Sequence, residues 1–256
     1  MIDIHSHILY GLDDGADTFE TSVAMLSMAE ENGTTDIVAT PHANVTYAYV
    51  PETIDARIAE LQAAVGDNIR IHRGCDFHLS LHNIQAAIAE PRKFSIDGLG
   101  YLLVEFPDVA ALHGVDRIFQ TLRDAGLTPI VTHPERNPHL AADIPRLSRW
   151  VKDGAYLQLT AQSVTGELFG AETSAWCDQV LKMGLVHFVA SDAHETRTRT
   201  PRLDKAKLHL EKHFGEEYAE MLLEINPRAA IEGAPLPVGP LAPRGRAKKK
   251  WFQFKA

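Results

Sequence analysis

The chain reads as an α/β protein, a distorted (β/α) TIM-like barrel of about seven parallel strands. Two observations predict it. Short β-branched or apolar runs alternate with longer helical patterns, and glycines close most of the helices. Six of the seven predicted strands also end on a histidine or a carboxylate. An open sheet brings only the strands near its switch point to one crevice, whereas a barrel aims every C-terminal strand end at one axis.

The predicted strands cover roughly residues 2–5, 36–40, 69–74, 101–105, 129–132, 156–159 and 186–190. Between them, Thr18 to Asn32 forms a helical pattern punctuated by Gly33. Pro51 opens a second helix in which Ile54, Ile58, Leu61 and Val65 recur at helical spacing. Val115 to Ala125 runs into Gly126, Ile144 to Lys152 stops near Gly154, and Ala171 to Met183 meets Gly184. One barrel is expected over residues 1–238, followed by a flexible basic tail at 239–256, because the sequence from Pro235 is rich in proline and glycine.

Composition narrows the function. With 256 residues and 45% hydrophobic content the chain can bury one large core. The formal charge of −9 is uneven: the last thirteen residues hold six Lys or Arg and no acid, leaving 19 basic against 34 acidic residues in the body. So acidic a body repels phosphate backbones, which excludes general nucleic-acid binding, and it attracts divalent cations. The tail, with KKKWFQF, joins basic charge to aromatic rings, a combination suited to an anionic membrane surface or an acidic partner. No apolar stretch approaches the ~18 residues of a membrane-spanning helix. The opening MIDIHSH lacks the basic-then-apolar pattern of a secretory signal, and two cysteines make no disulfide framework, so a cytoplasmic protein is expected.

The residues at the strand ends carry the chemistry. His5 and His7 form an H-x-H pair whose side chains share one face of a strand, with Ile2 and Ile4 on the other. Asp192 and His194, in SDAH, repeat that spacing at the last strand, which a closed barrel places beside the first. Glu105 ends the apolar run YLLV, where a buried charge is costly unless it is paired or metal-bound. His42 in TPH and His133 in THP stand beside prolines that restrain them, and Asp76 follows the third strand. Each alone has an ordinary reading as a cap, turn or core residue. Together, eight donors on six strand ends describe a polynuclear metal site, and a site of that size implies hydrolysis.

Three arginines, Arg136, Arg197 and Arg199, follow ligand candidates closely enough to overhang the ions and grip a phosphate or carboxylate. Asp13 and Asp14 lie in the first βα loop, where one could act as a general acid or simply form a turn. Thiol chemistry is excluded. A thiol-dependent phosphatase needs arginine six residues after its cysteine; Cys75 is followed there by Leu81 and Cys177 by Met183. There is no glycine-rich phosphate loop and no G-x-S-x-G.

Taken in order, MIDIHSHILYGLDDGA, ATPH, GCDFH, VEFP, THPERN, LQLTAQSVTGELFG and VASDAH closely resemble the bacterial manganese-dependent protein-tyrosine phosphatases of the PHP superfamily, the type associated with capsule and exopolysaccharide clusters. The resemblance covers about residues 1 to 200. It implies a distorted barrel holding up to three divalent ions, most often manganese, with iron, zinc, magnesium or cobalt as substitutes. It implies that His5, His7, His42, Asp76, Glu105, His133, Asp192 and His194 are ligands, that Arg136 and Arg199 hold the phosphate, and that Asp14 is a catalytic acid. The substrate it implies is phosphotyrosine on a membrane-associated bacterial tyrosine kinase. One departure is Asp76, where the family usually has glutamate. Three other functions compete: a small-molecule phosphomonoesterase acting on histidinol phosphate or a sugar phosphate, an amidohydrolase, and a non-catalytic metal-bound module. The amidohydrolases usually carry a carbamylated lysine where this chain has Glu105.

Overall fold

The computed structural model describes residues 1–107 and 114–237. The predicted tail from 239 lies outside the described residues. Among the described residues nine parallel strands form: β1 (Ile2–Ser6), β2 (Asp36–Ala39), β3 (His42–Ala43), β4 (Arg70–Arg73), β5 (Asp76–His78), β6 (Tyr101–Glu105), β7 (Thr128–Thr132), β8 (Tyr156–Thr160) and β9 (Phe188–Ala190). They assemble as a three-stranded sheet, β1-β2-β4, and a six-stranded sheet, β3-β5-β6-β7-β8-β9.

The count exceeds seven because two strand positions break in the middle. Pro41, which cannot donate a ladder hydrogen bond, separates β2 from β3. Gly74 and Cys75 separate β4 from β5 at a close approach: a Cβ on Gly74 would lie 2.6 Å from Val38 Cγ1. Hydrogen bonds cross both breaks, from Gly74 N to the Ala39 carbonyl (2.8 Å) and from Asp76 N to the Pro41 carbonyl (3.3 Å). Seven strand positions therefore follow one another in chain order. The seam between the last and the first is spanned by one parallel bridge, Ser6 with Ala193, rather than a continuous ladder. Around it Asp192 N donates to the His5 carbonyl and His7 N to the Ala193 carbonyl, both at 2.8 Å.

Alternating side chains divide the apolar interior in two. Leu102, Val104, Val131, Leu157 and Leu159 pack outward with helix residues such as Phe119, Leu147 and Trp150. Ile2, Ile4, Val38, Leu103, Ile130 and Phe188 form a smaller cluster inside the strand ring, with Ile231 of the last helix packed among them. The strict alternation expected for β1 does not hold. Its register slips between Asp3 and Ser6, so Ile4 joins the inner cluster while His5 also turns inward to Gln158 of β8. A bulge of this kind re-aims a side chain.

Helices cover the outside much as the pattern predicts, at Phe19–Glu31, Pro51–Val65, Val115–Asp124, Ile144–Lys152 and Gly170–Lys182. Thr18 caps the first by accepting from Thr21 N, and Pro51 begins the second.

Candidate metal centre

All eight predicted ligands lie at the C-terminal ends of strand positions, on one face of the ring. They form overlapping groups whose donor atoms lie within 4.8 Å of one another: His5, His7 and Asp192; His5, Asp76 and His133; His42, Asp76 and Glu105; and His7, Asp14, His42 and His194. Asp76 and three of the histidines each belong to two groups, so the donors form one continuous cluster. The Nε2 atoms of His5 and His7 face each other at 3.4 Å. The rings of His7 and His194 are 4.0 Å apart, and those of His7 and His42 4.5 Å.

The central carboxylate is the strongest sign of a cation. Asp76 is fully buried, and neither of its oxygens receives a hydrogen bond among the described residues; His42 Nδ1 is likewise without one. Burying a carboxylate without hydrogen bonds is costly, although the nearby His5 and His42 hold this one ionised. Although a methylene shorter than glutamate, Asp76 places Oδ2 3.3 Å from His42 Nδ1 and 3.6 Å from His5 Nε2. The eight predicted ligands and Asp14 make nine imidazole or carboxylate donors with no thiolate among them; these suit hard or borderline divalent ions, so the residues fit the group.

A second layer aims the histidines. Asp13 Oδ2 lies 2.7 Å from His7 Nδ1 and also accepts from His42 N. Gln158 Oε1 lies 2.9 Å from His5 Nδ1, and the Asp192 carbonyl lies 3.0 Å from His194 Nδ1. Each contact leaves Nε2 free to face the cluster. The loop carrying Asp13 and Asp14 closes tightly on the first strand: a Cβ on Gly15 would come within 2.1 Å of the His7 carbonyl. Two of the nine donors, His133 (φ 33°) and Asp192 (φ 52°), adopt left-handed backbone conformations, which L side chains rarely occupy.

Charge is unevenly held. Burial opposes a proton on His7, but Asp13 and Asp192 outweigh it and raise the pKa to about 9; at His42, Asp14 and Asp76 similarly overcome burial and raise it to about 11. Burial, with Arg136 adding to it, holds His133 down to about 3, leaving a neutral imidazole. Burial, assisted by the charge of His7, takes His194 to about 4. Hydrogen bonds from His194 and His42 keep Asp14 ionised. Burial raises Glu105, and the neighbouring charge of Asp76 raises it further. Both thiols are buried and displaced upward by that burial, which leaves neither Cys75 nor Cys177 a nucleophile.

The arginines divide. Arg136 and Arg199 both donate to Asp192 Oδ2, Arg199 at 2.7 Å, while Asp192 Oδ1 lies 3.5 Å from the Nε2 atoms of His5 and His7. Arg136 also lies against Phe169, 4.9 Å from its ring centroid. Arg197 makes no contact with Asp192 and lines a separate cavity. Asp14 is exposed at the mouth of the cluster, 3.4 Å from His42 Nε2 and 3.5 Å from His194 Nε2. That is ligand distance as well as the position of an acid. The contacts of Asp13, Gln158 and Phe169 have no signature in the sequence. The sequence marks Asp13 only as an acid or turn residue beside Asp14, and Gln158 and Phe169 lie in a stretch whose individual side chains carry no spacing signal.

The family model described as capsular polysaccharide synthesis, CpsB/CapC, matches residues 1–232. The chain belongs to the CpsB/CapC family. Within it, the tyrosine-protein phosphatase YwqE of Bacillus subtilis is 33% identical over 227 residues, covering 88% of this chain and 89% of its own length. The tyrosine-protein phosphatase CpsB of Streptococcus pneumoniae is 28% identical over 239 residues, covering 90% of this chain and 98% of itself. A crystal structure solved in work on those two proteins, which describes them as unique metal-dependent tyrosine phosphatases, superposes with a TM-score of 0.87 at 31% identity. It covers 96% of this chain and 100% of its own. This CpsB/CapC member thus shares its relatives' length as well as their fold.

Proposed function

We propose that this chain is a metal-dependent protein-tyrosine phosphatase. Its substrate is a bacterial tyrosine kinase that governs capsule or exopolysaccharide synthesis. The observation that carries the reading is Asp76, a buried carboxylate without a hydrogen-bond donor at the centre of a histidine cluster, in a chain similar over nearly its whole length to tyrosine phosphatases. His5, His7, His42, Asp76, Glu105, His133, Asp192 and His194 hold up to three divalent ions, manganese foremost. When bound, such ions polarise phosphoryl oxygens and lower the pKa of water.

The protein's own groups do the rest. Arg136 and Arg199, gathered on one oxygen of Asp192, present guanidinium donors to the phosphoryl group; charge-assisted bonds that strengthen as negative charge spreads in the transition state lower the barrier. Phe169 limits the swing of Arg136. Asp13 and Gln158 fix the rings of His7 and His5. Asp14, the exposed carboxylate at the mouth, is placed to carry a proton from solvent to the departing tyrosine oxygen; held ionised by His42 and His194, it must take up that proton before it gives it. No helix among the described residues is long and apolar enough to cross a membrane, which agrees with action in the cytoplasm on the exposed part of a membrane-associated kinase.

The test is turnover of a phosphotyrosine peptide, of histidinol phosphate and of a small aryl phosphate, before and after chelation and after readdition of manganese. Phosphotyrosine turnover that disappears with the ions and returns with them is expected, also in a Cys75→Ser, Cys177→Ser double variant. Preference for histidinol phosphate, or turnover indifferent to chelation, would overturn the reading.

A further inference from the structure

Beside the loop that carries Arg199 lies a cavity of about 380 Å³ that the chemistry described so far does not use. Its walls include Gln162, Glu167, Arg197, Arg202 and Lys205. Residues 194–199 form a tight turn, with His194 N and Glu195 N donating to the Arg199 carbonyl and Glu195 accepting from the backbone N–H groups of Arg197, Thr198 and Arg199. Arg199 leaves this turn toward Asp192, whereas Arg197 faces the cavity. Thr198 and Thr200, the chain neighbours of Arg199, line the cavity as well. The cavity is thus within reach of a residue flanking a bound phosphotyrosine.

Its polar groups are unevenly satisfied. Lys205 pairs with Glu167, and Arg202 forms a forked pair with Asp204 at 3.0 and 2.8 Å. The guanidinium of Arg197 has no partner among the described residues. Gln162 donates through Nε2 to the Thr198 carbonyl, which fixes its amide, and leaves Oε1 buried with no donor. Among the described residues the wall therefore carries one cation without a counter-charge, and the cavity asks for a ligand with an anionic group. An acidic side chain beside the phosphotyrosine supplies one.

We propose that this cavity is a substrate subsite that takes an acidic residue next to the phosphotyrosine, with Arg197 pairing the carboxylate. This deepens the phosphatase reading and rests on it. The experiment compares two phosphotyrosine peptides, flanked on both sides by Glu or by Gln, with a small aryl phosphate, in the manganese-loaded wild type and Arg197→Ala. The wild type should favour the Glu peptide in kcat/KM by roughly fivefold, the size of one partly exposed charge pair. Arg197→Ala should abolish that preference while hydrolysing the aryl phosphate within about twofold of wild type. Fluorescence anisotropy with non-hydrolysable analogues of the two peptides gives a second readout that does not need turnover. Turnover of both peptides at equal rates, or a preference that survives Arg197→Ala, overturns the subsite and leaves the phosphatase reading intact. Arg197-dependent binding of the Glu analogue without phosphotyrosine turnover would overturn the phosphatase reading instead.

Discussion

The second and third strand positions each carry a buried or half-buried ionisable group at both ends, and the two ends differ in one respect. At the N-terminal end, His72 of β4 reaches Asp97 at 2.6 Å and Asp36 of β2 at 3.2 Å, while Thr35 donates to Asp36 at 2.8 Å. Every buried polar side-chain atom of His72 and Asp36 has a partner. At the C-terminal end the same two positions lead to His42 and Asp76, where His42 Nδ1 and both Asp76 oxygens have none. The lower cluster is complete as protein and stabilises the fold. The upper one leaves donors open that a cation could take up. Buried charge by itself therefore does not mark a functional site; what sets the upper end apart is a convergence of imidazole and carboxylate donors that the protein's own hydrogen bonds leave open.

Replacing the carboxylate at each end should separate these roles, and gives the largest expected effect. Asp76→Ala removes a donor from two of the four groups. Turnover should fall at least ~10³-fold, bound metal measured by elemental analysis should drop, and the rise in Tm on adding manganese should largely vanish. Asp36→Ala should lower Tm with and without manganese yet keep the manganese-dependent rise and the turnover. If the two variants behave alike, the contrast between the ends is wrong.

A narrower pair of variants divides the upper cluster itself. Arg136→Ala should cost roughly 2–4 kcal/mol in kcat/KM, about 30- to 1000-fold, with metal content unchanged, because Arg199 still holds Asp192. Asp14→Asn should lose about 100-fold on phosphotyrosine but much less on an aryl phosphate with an acidic leaving group, which needs no proton. Equal losses on both substrates together with lost metal would make Asp14 a ligand and remove it from proton transfer.

The strand-end donors were legible because β-strand periodicity and the barrel's convergence both act on sequence: H-x-H and D-x-H spacing, and a carboxylate closing an apolar run, survive without coordinates. What was not legible depends on three-dimensional approach. The broken strands at Pro41 and Gly74 follow from one missing N–H and one missing Cβ against Val38, and the latter is a contact between residues far apart in sequence. The slip in β1 that turns both Ile4 and His5 inward overrides the alternation a reader assumes. Arg136 and Arg199 were placed near the ions from sequence, but their convergence on a single oxygen of Asp192, from 56 and seven residues away, is a tertiary fact. Arg197 looked equivalent to Arg199 in the motif and proved to face elsewhere.

The smallest expected effect concerns the satisfied end and is a matter of pH. Burial opposes the charge on His72, but hydrogen bonds and charges from Asp97 and Asp36 outweigh it, so its folded pKa is raised. A raised folded pKa means stability that is fully present below the unfolded value of about 6.5 and lost as pH rises through the folded value. Asp36 runs the other way. Burial raises it, yet Thr35, His72 and Arg228 bring the net value down, so its contribution is present above about 3.9 and lost as pH falls through its folded value. The pair should therefore stabilise most between those limits. His72→Gln should flatten the alkaline side of the Tm profile, lowering Tm by a few degrees below about pH 6.5, for an interaction of about 1 kcal/mol, and by less at higher pH. Thermal denaturation of wild type and variant at saturating manganese isolates this change from the histidines of the metal cluster. A constant Tm difference across the range would show that His72 packs there without its charge contributing.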